Sequence, residues 1–249
     1  VTQGKMTYEH RETTLPQIAR LIVRLMAHHP DENGLIHAHS YAIAEALADR
    51  LADFGVGSRV RTHTKASRDD ELTAWKASDD PEVFIAVKME EALDLNGDLA
   101  RWQVLCKAPY LNTNDSRVAR RLEDDQWAWY HRTALRTVIQ ACGRVVRAPD
   151  DYGATYLADS SLLDLFDRAA ADMPPWFREQ VDRCSQPTLP AFDPAAAVAE
   201  IDGSAGTGSR QRSVTQHRNE SASSSGQTRT DADADQRADH PLSDVWGDG

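Results

Sequence analysis

Three polar side chains near the middle of the chain are spaced for joint chemistry at the end of a helix. Gln140, Arg144 and Arg147 follow one another at intervals of four and three residues, which places their heads on one helix face. A guanidinium group binds phosphate well because its planar fork holds two oxygens at once and keeps its charge. The pattern therefore predicts a phosphate-binding cleft. An ordinary helix end, with the arginines paired to Asp150 and Asp151, fits the same residues.

An acidic run follows the most apolar segment of the chain. Residues 83–89 predict a buried strand, and Glu91 and Asp94 come soon after it. In an open parallel sheet, ligands bind beyond the carboxyl ends of the strands. Glu91 and Asp94 are therefore candidates for a binding site, and a solvated acidic loop is the alternative interpretation.

Two polar positions stand where helices are predicted to begin. Ser40 follows a short apolar-leaning run, and a helix amino terminus with a hydroxyl group is a natural phosphate site. Asn114 lies in the loop 109–115, where Asn and Asp are also ordinary turn and cap formers. Ser40 also fits a simple cap, and Asn114 or Asp115 also fits the start of the next helix. His37 and His39 face one side of the predicted strand, but no further ligands at usable spacing accompany them, so no metal site is predicted.

The aromatic residues of the predicted helix 124–141 allow two interpretations. Trp127, Trp129 and Tyr130 offer rings on which nucleic-acid bases stack. Trp127 also begins an apolar stripe that continues through Ala134 and Val138, and this favours core packing for Trp127. The position of Trp129 is left open.

The elements that must position these residues alternate along the chain. Apolar runs and helical periodicity follow each other every twenty to thirty residues, which predicts an α/β fold with a parallel sheet covered on both faces. Strands are predicted at 35–39, 60–63, 83–89, 102–108 and 154–158, and helices at 13–29, from Ser40, at 69–76 and at 124–141.

Composition divides the chain into three parts. Residues 1–173 contain the alternating elements, and 174–200 are proline-rich, which predicts an extended linker with at most one short helix. Residues 201–249 are rich in Ser, Asp and other polar residues and too poor in apolar groups to offset chain entropy by burial, so a disordered tail is predicted.

The charge and the cysteine content of the chain indicate the environment of the protein. The net charge is −11. The chain contains 27 Asp but only 12 Glu, and 23 Arg but only 5 Lys, and this Asp-rich, Lys-poor composition is typical of adaptation to high salt. The three cysteines are far apart in sequence and predict neither a disulfide framework nor a metal site, which indicates a cytoplasmic protein. No apolar run is long enough to span a membrane.

The motifs and their order resemble those of a known family. Gln-Ala-Cys-Gly-Arg-Val-Val-Arg at 140–147, followed by Ala-Pro-Asp-Asp-Tyr-Gly and a Tyr-Leu-Ala-Asp strand, resembles the sixth motif of XPD/DinG-type DNA helicases. The run 91–94 resembles the fifth motif, although Ala92 replaces the usual Gly. The loop 109–115 and the segment His-Ala-His-Ser-Tyr at 37–41 are similar to two further family elements.

The resemblance implies a single RecA-like domain, the second motor domain of an ATP-dependent DNA helicase. By resemblance, Arg144 and Arg147 stabilise charge on the γ-phosphate while Gln140 senses the nucleotide. It further implies nucleotide binding by Gly143, Glu91 and Asp94, and contacts to single-stranded DNA by Ser40, Tyr41 and Asn114.

A phosphate loop of the form G-x-x-x-x-G-K-[ST] is not found in the sequence. The resemblance therefore implies that ATP and Mg²⁺ are bound mainly by a first motor domain on another chain or a missing segment. The alternative is a non-catalytic module that binds nucleic acid or regulates a complete helicase.

Overall fold

A computed structural model of the chain describes residues 1–87, 95, 99–143, 145 and 152–205. Its strands are β1 (Gly34–His37), β2 (Val60–Arg61), β3 (Val83–Ala86), β4 (Trp102–Leu105) and β5 (Ala154–Leu157). Its helices are α1 (Arg11–His28), α2 (Tyr41–Asp53), α3 (Arg68–Ala77), α4 (Ser116–Glu123), α5 (Trp127–Cys142), α6 (Ser161–Arg168), α7 (Pro175–Asp182) and α8 (Pro194–Ala205).

The strands form one parallel sheet in the order β2-β3-β1-β4-β5. Every residue of β1, β3 and β4 is buried, as expected for strands whose two faces are both covered. The predicted α/β class, with a parallel sheet flanked by helices, is confirmed.

The two faces of the sheet carry different helices. On one face, α1 and α2 pack through residues such as Ile22 and Ile43 onto Ile85 of β3. Side chains alternate along a strand, so Phe84 points to the opposite face, where it packs with Trp75 of α3. Helices α5, α6 and α7 enclose a further apolar cluster that reaches Leu105 of β4. Because the strands are parallel, all five end at the same edge of the sheet, and helices cover both of its faces.

The stretch 174–200 differs from the predicted extended linker. It contains all of α7 and the first part of α8, and Phe177 and Ala197 are buried there. Pro175 and Pro194 are the first residues of these helices, where the missing N–H group is not needed. Proline here marks helix starts rather than extended chain. Helix α8 reaches Ala205, and the remainder of the predicted tail lies outside the described residues.

Helix lengths also differ from the predictions. Among the described residues, α1 with 18 residues is longer than α5 with 16, although the helix ending near 141 is predicted to be the longest. The predicted helix from 124 begins at Trp127 and is preceded by the separate helix α4, and α6 is not predicted. Within the part of the chain that the structure describes, no helix combines the length and apolar character needed to cross a membrane.

Candidate functional site

Ser40 caps the helix that begins at the carboxyl end of β1. Its backbone is extended, and its hydroxyl oxygen accepts a hydrogen bond of 3.4 Å from the backbone N–H of Ile43. The chain reaches this position through His39, whose φ of 67° is left-handed, a conformation in which His is enriched among non-glycine residues. The capping interpretation of Ser40 is therefore confirmed. Its hydroxyl hydrogen is still able to donate to an anion, so the cap and the phosphate contact are compatible.

Tyr41, the first residue of α2, is 40% exposed and lines a groove of about 630 Å³. The other wall is the loop after β2, which includes His63, Lys65 and Ser67. Tyr41 meets the ring of His63 edge-on, with ring centroids 5.7 Å apart. An aromatic ring, hydroxyl groups and a lysine thus share one groove at the carboxyl edge of the sheet with three carboxylates, those of Glu45, Asp49 and Glu71.

His63 connects this groove to the end of β3. Its ring stacks on Phe84 at 5.5 Å, and its Nε2 accepts a hydrogen bond of 3.2 Å from the backbone N–H of Val87. The Nδ1–H group then donates to the carbonyl oxygen of Thr64 at 3.0 Å, so these bonds define a neutral tautomer. Val87 directly precedes residues 88–94. Glu91 and Asp94 lie outside the described residues.

Asn114 lies in the exposed loop that follows β4. Its backbone N–H donates to Asn112 Oδ1 at 3.0 Å, a local turn contact that leaves the Asn114 side chain exposed. The cap of α4 is instead Asp115, whose carboxylate accepts from the N–H groups of Arg117 and Val118. Of the two residues predicted as possible starts of this helix, Asp115 is therefore the cap and Asn114 is not.

Asp159 holds this loop in place from the end of β5. Its carboxylate is 1% exposed and accepts hydrogen bonds from the backbone N–H groups of Met6, Ala108 and Ser161 at 2.8 to 3.1 Å. The bond to Ala108 fixes the start of the loop that contains Asn114. The strand-ending aspartate is part of the motif pattern, but its use as a buried anchor is a result of the tertiary structure.

Gln140 and Gly143 lie at the end of α5, a helix that begins near the loop containing Asn114. Helix α5 runs antiparallel to the strands, and its end lies beside the start of β5, where Gly143, Gly153 and Thr155 line one cavity. The last turn of α5 also lies close to the end of β1, because Ala141 lines a small pocket together with His37 and His39. The structure therefore separates Gly143 from Asn114 along α5, but it brings the end of this helix near the residue that precedes Ser40.

Gly143 ends α5 in an ordinary conformation. Its φ is −76°, and its backbone N–H donates to the carbonyl oxygen of Ile139 at 3.2 Å. A Cβ placed there would meet only the carbonyl oxygens of Ile139 and Gln140, at 3.7 and 3.8 Å. The described structure thus gives no steric reason for glycine at this exposed position. Gln140 itself is partly buried.

Gln103, which the sequence pattern does not single out, anchors this helix end. It is fully buried in β4, and its Oε1 accepts a hydrogen bond from His37 Nε2 at 2.9 Å. Its Nε2 group donates to the carbonyl oxygens of Ala141 and Cys142 at 3.0 and 3.2 Å, and to Thr155 Oγ1 at 2.8 Å. One side chain therefore joins β1, β4, β5 and the end of α5.

Val145 fixes the chain on the other side of Arg144. It is fully buried in a cluster with Leu95, which follows the acidic run, and with Leu35, Trp75, Phe84, Ala86 and Ala100. A Cβ at Gly153 would lie 2.9 Å from both Cγ2 and the carbonyl oxygen of Val145, so only glycine fits there. The segments of the fifth and sixth motifs thus share one apolar cluster. Arg144 and Arg147 lie outside the described residues.

Tyr152, which follows the segment with the arginine pair, is also held in place. Arg101 donates to the carbonyl oxygen of Tyr152 at 2.9 Å, and its guanidinium lies 4.1 Å from the centroid of that ring. The Tyr152 hydroxyl donates to Glu32 at 3.4 Å. Cys142 does not offer a thiolate in this region, because burial raises the pKa of its thiol to about 12. Cys142 is thus not a nucleophile near neutral pH.

Comparisons with known proteins agree with the motif order. The model of the helicase C-terminal domain family matches residues 22–180, well over half of the chain. The human regulator of telomere elongation helicase 1 is 29% identical over 154 residues, which cover 48% of this chain and 12% of that protein. The ATP-dependent DNA helicase chl-1 of Caenorhabditis elegans is 28% identical over 177 residues, covering 62% of this chain and 21% of its own length.

Among solved structures, Xpd4 of S. tokodaii has a similar fold. It matches with a TM-score of 0.51 and 21% sequence identity, covering 71% of this chain and 38% of that chain. Identity at this level supports the similarity of fold alone. The chain thus corresponds to a small part of the length of the curated relatives it matches.

Proposed function

The chain belongs to the helicase C-terminal domain family, of the XPD/DinG type, and we propose that it acts as the second motor domain of an ATP-dependent DNA helicase. In this proposal Arg144 and Arg147 reach across the interdomain cleft and stabilise charge on the γ-phosphate, as an arginine finger does. Gln140 senses the nucleotide. Glu91 and Asp94 couple the nucleotide cleft to the DNA.

The observation that carries the proposal is the anchoring of the chain on both sides of Arg144. Gln103 holds the carbonyl groups of Ala141 and Cys142, and Val145 is buried in the cluster that also contains Leu95. A group that stabilises transition-state charge is effective only when it is held in place before the reaction. The fixed residues on both sides of Arg144 meet this requirement for an arginine finger.

The DNA contacts in this proposal lie at the carboxyl edge of the sheet. Ser40 and Asn114 contact the backbone of single-stranded DNA, and Tyr41 lies against it in the groove that also contains Lys65. Because α5 spans the sheet between this edge and Gly143, closure of the nucleotide cleft and movement of the DNA are linked through one rigid element.

ATP and Mg²⁺ are bound mainly by a first motor domain, on another chain or another segment. The sequence of 249 residues contains no phosphate loop, so in this proposal it does not hydrolyse ATP alone. Its contribution is the arginine pair, the exposed glycine at 143 and the DNA contacts.

The proposal is tested by DNA-stimulated ATPase activity at high salt. The chain is assayed alone and mixed with a protein that carries the matching phosphate-loop domain, as wild type and as Arg144→Ala. Arg136→Ala, which removes an exposed arginine from α5, is the matched control. Activity is expected only in the mixture, with a loss of at least about 100-fold in Arg144→Ala, since fingers contribute about 10³- to 10⁵-fold.

A different outcome would favour the alternative function, a non-catalytic module. Absence of activity in every mixture, with DNA binding retained, would replace the motor by a binding or regulatory module. Ala92, at the position where the family pattern has glycine, favours that alternative, since Ala at a position that needs positive φ is strained. Equal losses in Arg144→Ala and Arg136→Ala would contradict the assigned role of Arg144.

A further inference from the structure

Four aromatic rings meet where α5 begins. Tyr110 and Tyr130 stack with centroids 5.3 Å apart and planes at 12°, and His131 lies 6.2 Å from Tyr110. The indole of Trp127 contacts Tyr130 edge-on at 6.1 Å and His131 at 6.2 Å with a tilt of 31°. We call these four residues the aromatic cluster.

The cluster is buried on one side and open on the other. Tyr130 is 8% exposed, whereas Trp127 is 48% exposed, contrary to the core position predicted for it. The indole therefore rests on other rings and presents its remaining surface to solvent. Tryptophan and tyrosine are enriched at binding surfaces, because each combines a large apolar ring with one polar group.

The backbone turns sharply just before Trp127. Asp125, in the turn between α4 and α5, has a left-handed φ of 58°, which few non-glycine residues adopt. The Tyr130 hydroxyl donates to the carbonyl oxygen of Leu111 at 3.0 Å. The cluster is thus tied to the loop that contains Asn114, at the carboxyl edge of the sheet.

The side chains around Trp127 carry both signs of charge. Asp125 precedes it by two residues, and Arg120 lies 3.9 and 3.8 Å from the carboxylates of Glu123 and Asp124. Burial, reinforced by the charge of Arg168, lowers the pKa of His131, so that ring is neutral near pH 7. Basic groups are present as well, because Arg121 donates to Gln126 Oε1 at 3.0 Å and the charge of Arg168 acts on His131. The indole itself therefore offers an uncharged face for a nucleobase, next to groups of both signs.

We propose that the exposed face of Trp127 stacks on an unpaired base of single-stranded DNA whose backbone follows Ser40 and Asn114. The inference rests on the proposed DNA binding of this domain and adds a base-contacting position to it. Stacking of a base on an aromatic ring does not depend on sequence, because every base has a π-face. A tryptophan platform therefore suits a motor that moves along any sequence.

The test measures the affinity of the whole chain for two fluorescently labelled strands. One is a thymidine oligonucleotide, and the other is an abasic strand of the same length, which keeps the phosphates and lacks the bases. The chain is measured as wild type, Trp127→Ala, Trp127→Phe and Trp176→Ala. Trp176 is 53% exposed near the start of α7, close to the cavity that contains Gly143, and is the matched control.

The wild type is expected to bind the thymidine strand about 5- to 150-fold more tightly than the abasic strand, the range for stacking on one aromatic side chain. Trp127→Ala should lose this preference and keep its affinity for the abasic strand. Trp127→Phe should keep most of the preference, and Trp176→Ala all of it.

Three results would overturn the inference. DNA binding with an unchanged preference in Trp127→Ala would reject the stacking site while leaving the proposed DNA binding intact. A loss in Trp127→Ala of association with the first motor domain, without a change in DNA affinity, would assign the cluster to a protein interface. No binding of the wild type to either strand would reject the proposed DNA binding and the stacking site together.

Discussion

His37 of β1 and Gln103 of β4 share a buried hydrogen bond of 2.9 Å, and the same glutamine holds the end of α5 through two backbone carbonyl groups. Two strands and a helix end therefore depend on one amide group. Buried polar groups are stable only when their hydrogen bonds are satisfied, so this network is sensitive to the loss of any member.

Replacement of Gln103 by leucine should destabilise the domain and displace the helix end. His37 Nε2 and the carbonyl of Ala141 lose their partner, and each unsatisfied group typically costs about 1–3 kcal/mol. The free energy of unfolding is measured by urea titration. Gln140→Leu is the control, because the same change at a partly exposed position should alter stability by less than about 0.5 kcal/mol. Equal effects in the two variants would contradict the buried network.

Gly143→Ala should leave the stability of the domain unchanged. The φ of −76° suits alanine, and the added Cβ would approach no atom of the described residues closer than 3.7 Å. If this glycine serves close approach of the nucleotide, the ATPase activity of the assembled motor should fall while urea unfolding stays the same. Full activity in Gly143→Ala would show that Gly143 does not belong to the proposed nucleotide site.

Gly153→Ala, in contrast to Gly143→Ala, should lower the stability of the isolated chain. The new Cβ would lie 2.9 Å from the carbonyl oxygen of Val145, and backbone atoms are not easily displaced. Overpacking of this kind typically costs about 1–3 kcal/mol, measured by urea unfolding. The same displacement moves the residue that follows Arg144, so ATPase activity of the assembled motor should fall as well. Unchanged stability in Gly153→Ala would show that the cluster around Val145 is loosely packed.

Stability should decrease as the pH falls below the ordinary pKa of histidine, in part because of His29. Burial lowers the pKa of His29, and the nearby Glu32 carboxylate, 2.6 Å from Nδ1, opposes this only in part. Below about pH 6.5 the unfolded chain therefore takes up a proton that the folded chain resists, which favours unfolding. Urea midpoints measured between about pH 7 and pH 5 should fall less steeply for His29→Asn than for the wild type.

Glu32→Gln provides the matched variant for this prediction. Loss of the carboxylate should lower the pKa of His29 further, so the decrease in stability extends to lower pH. Parallel pH profiles for the wild type and His29→Asn would show that other groups account for the dependence.

The sequence alone determined the class of the fold and the order of the motifs. Apolar runs and helical periodicity are properties of neighbouring residues, so the five strands and the cap at Ser40 are readable locally. Proline was more difficult to interpret, because Pro175 and Pro194 begin helices within a stretch predicted to be extended. The distinction depends on whether nearby apolar residues such as Phe177 find a core to join.

Only the tertiary structure decided which side chains support the motifs. Gln103 lies within an apolar strand pattern, and its partners Ala141 and Thr155 are 38 and 52 residues away. Trp127 fits a core stripe by spacing, yet the sharp turn at Asp125 starts α5 at the surface and leaves the indole half exposed. Contacts across such distances depend on how packed elements meet, and local spacing does not contain that information.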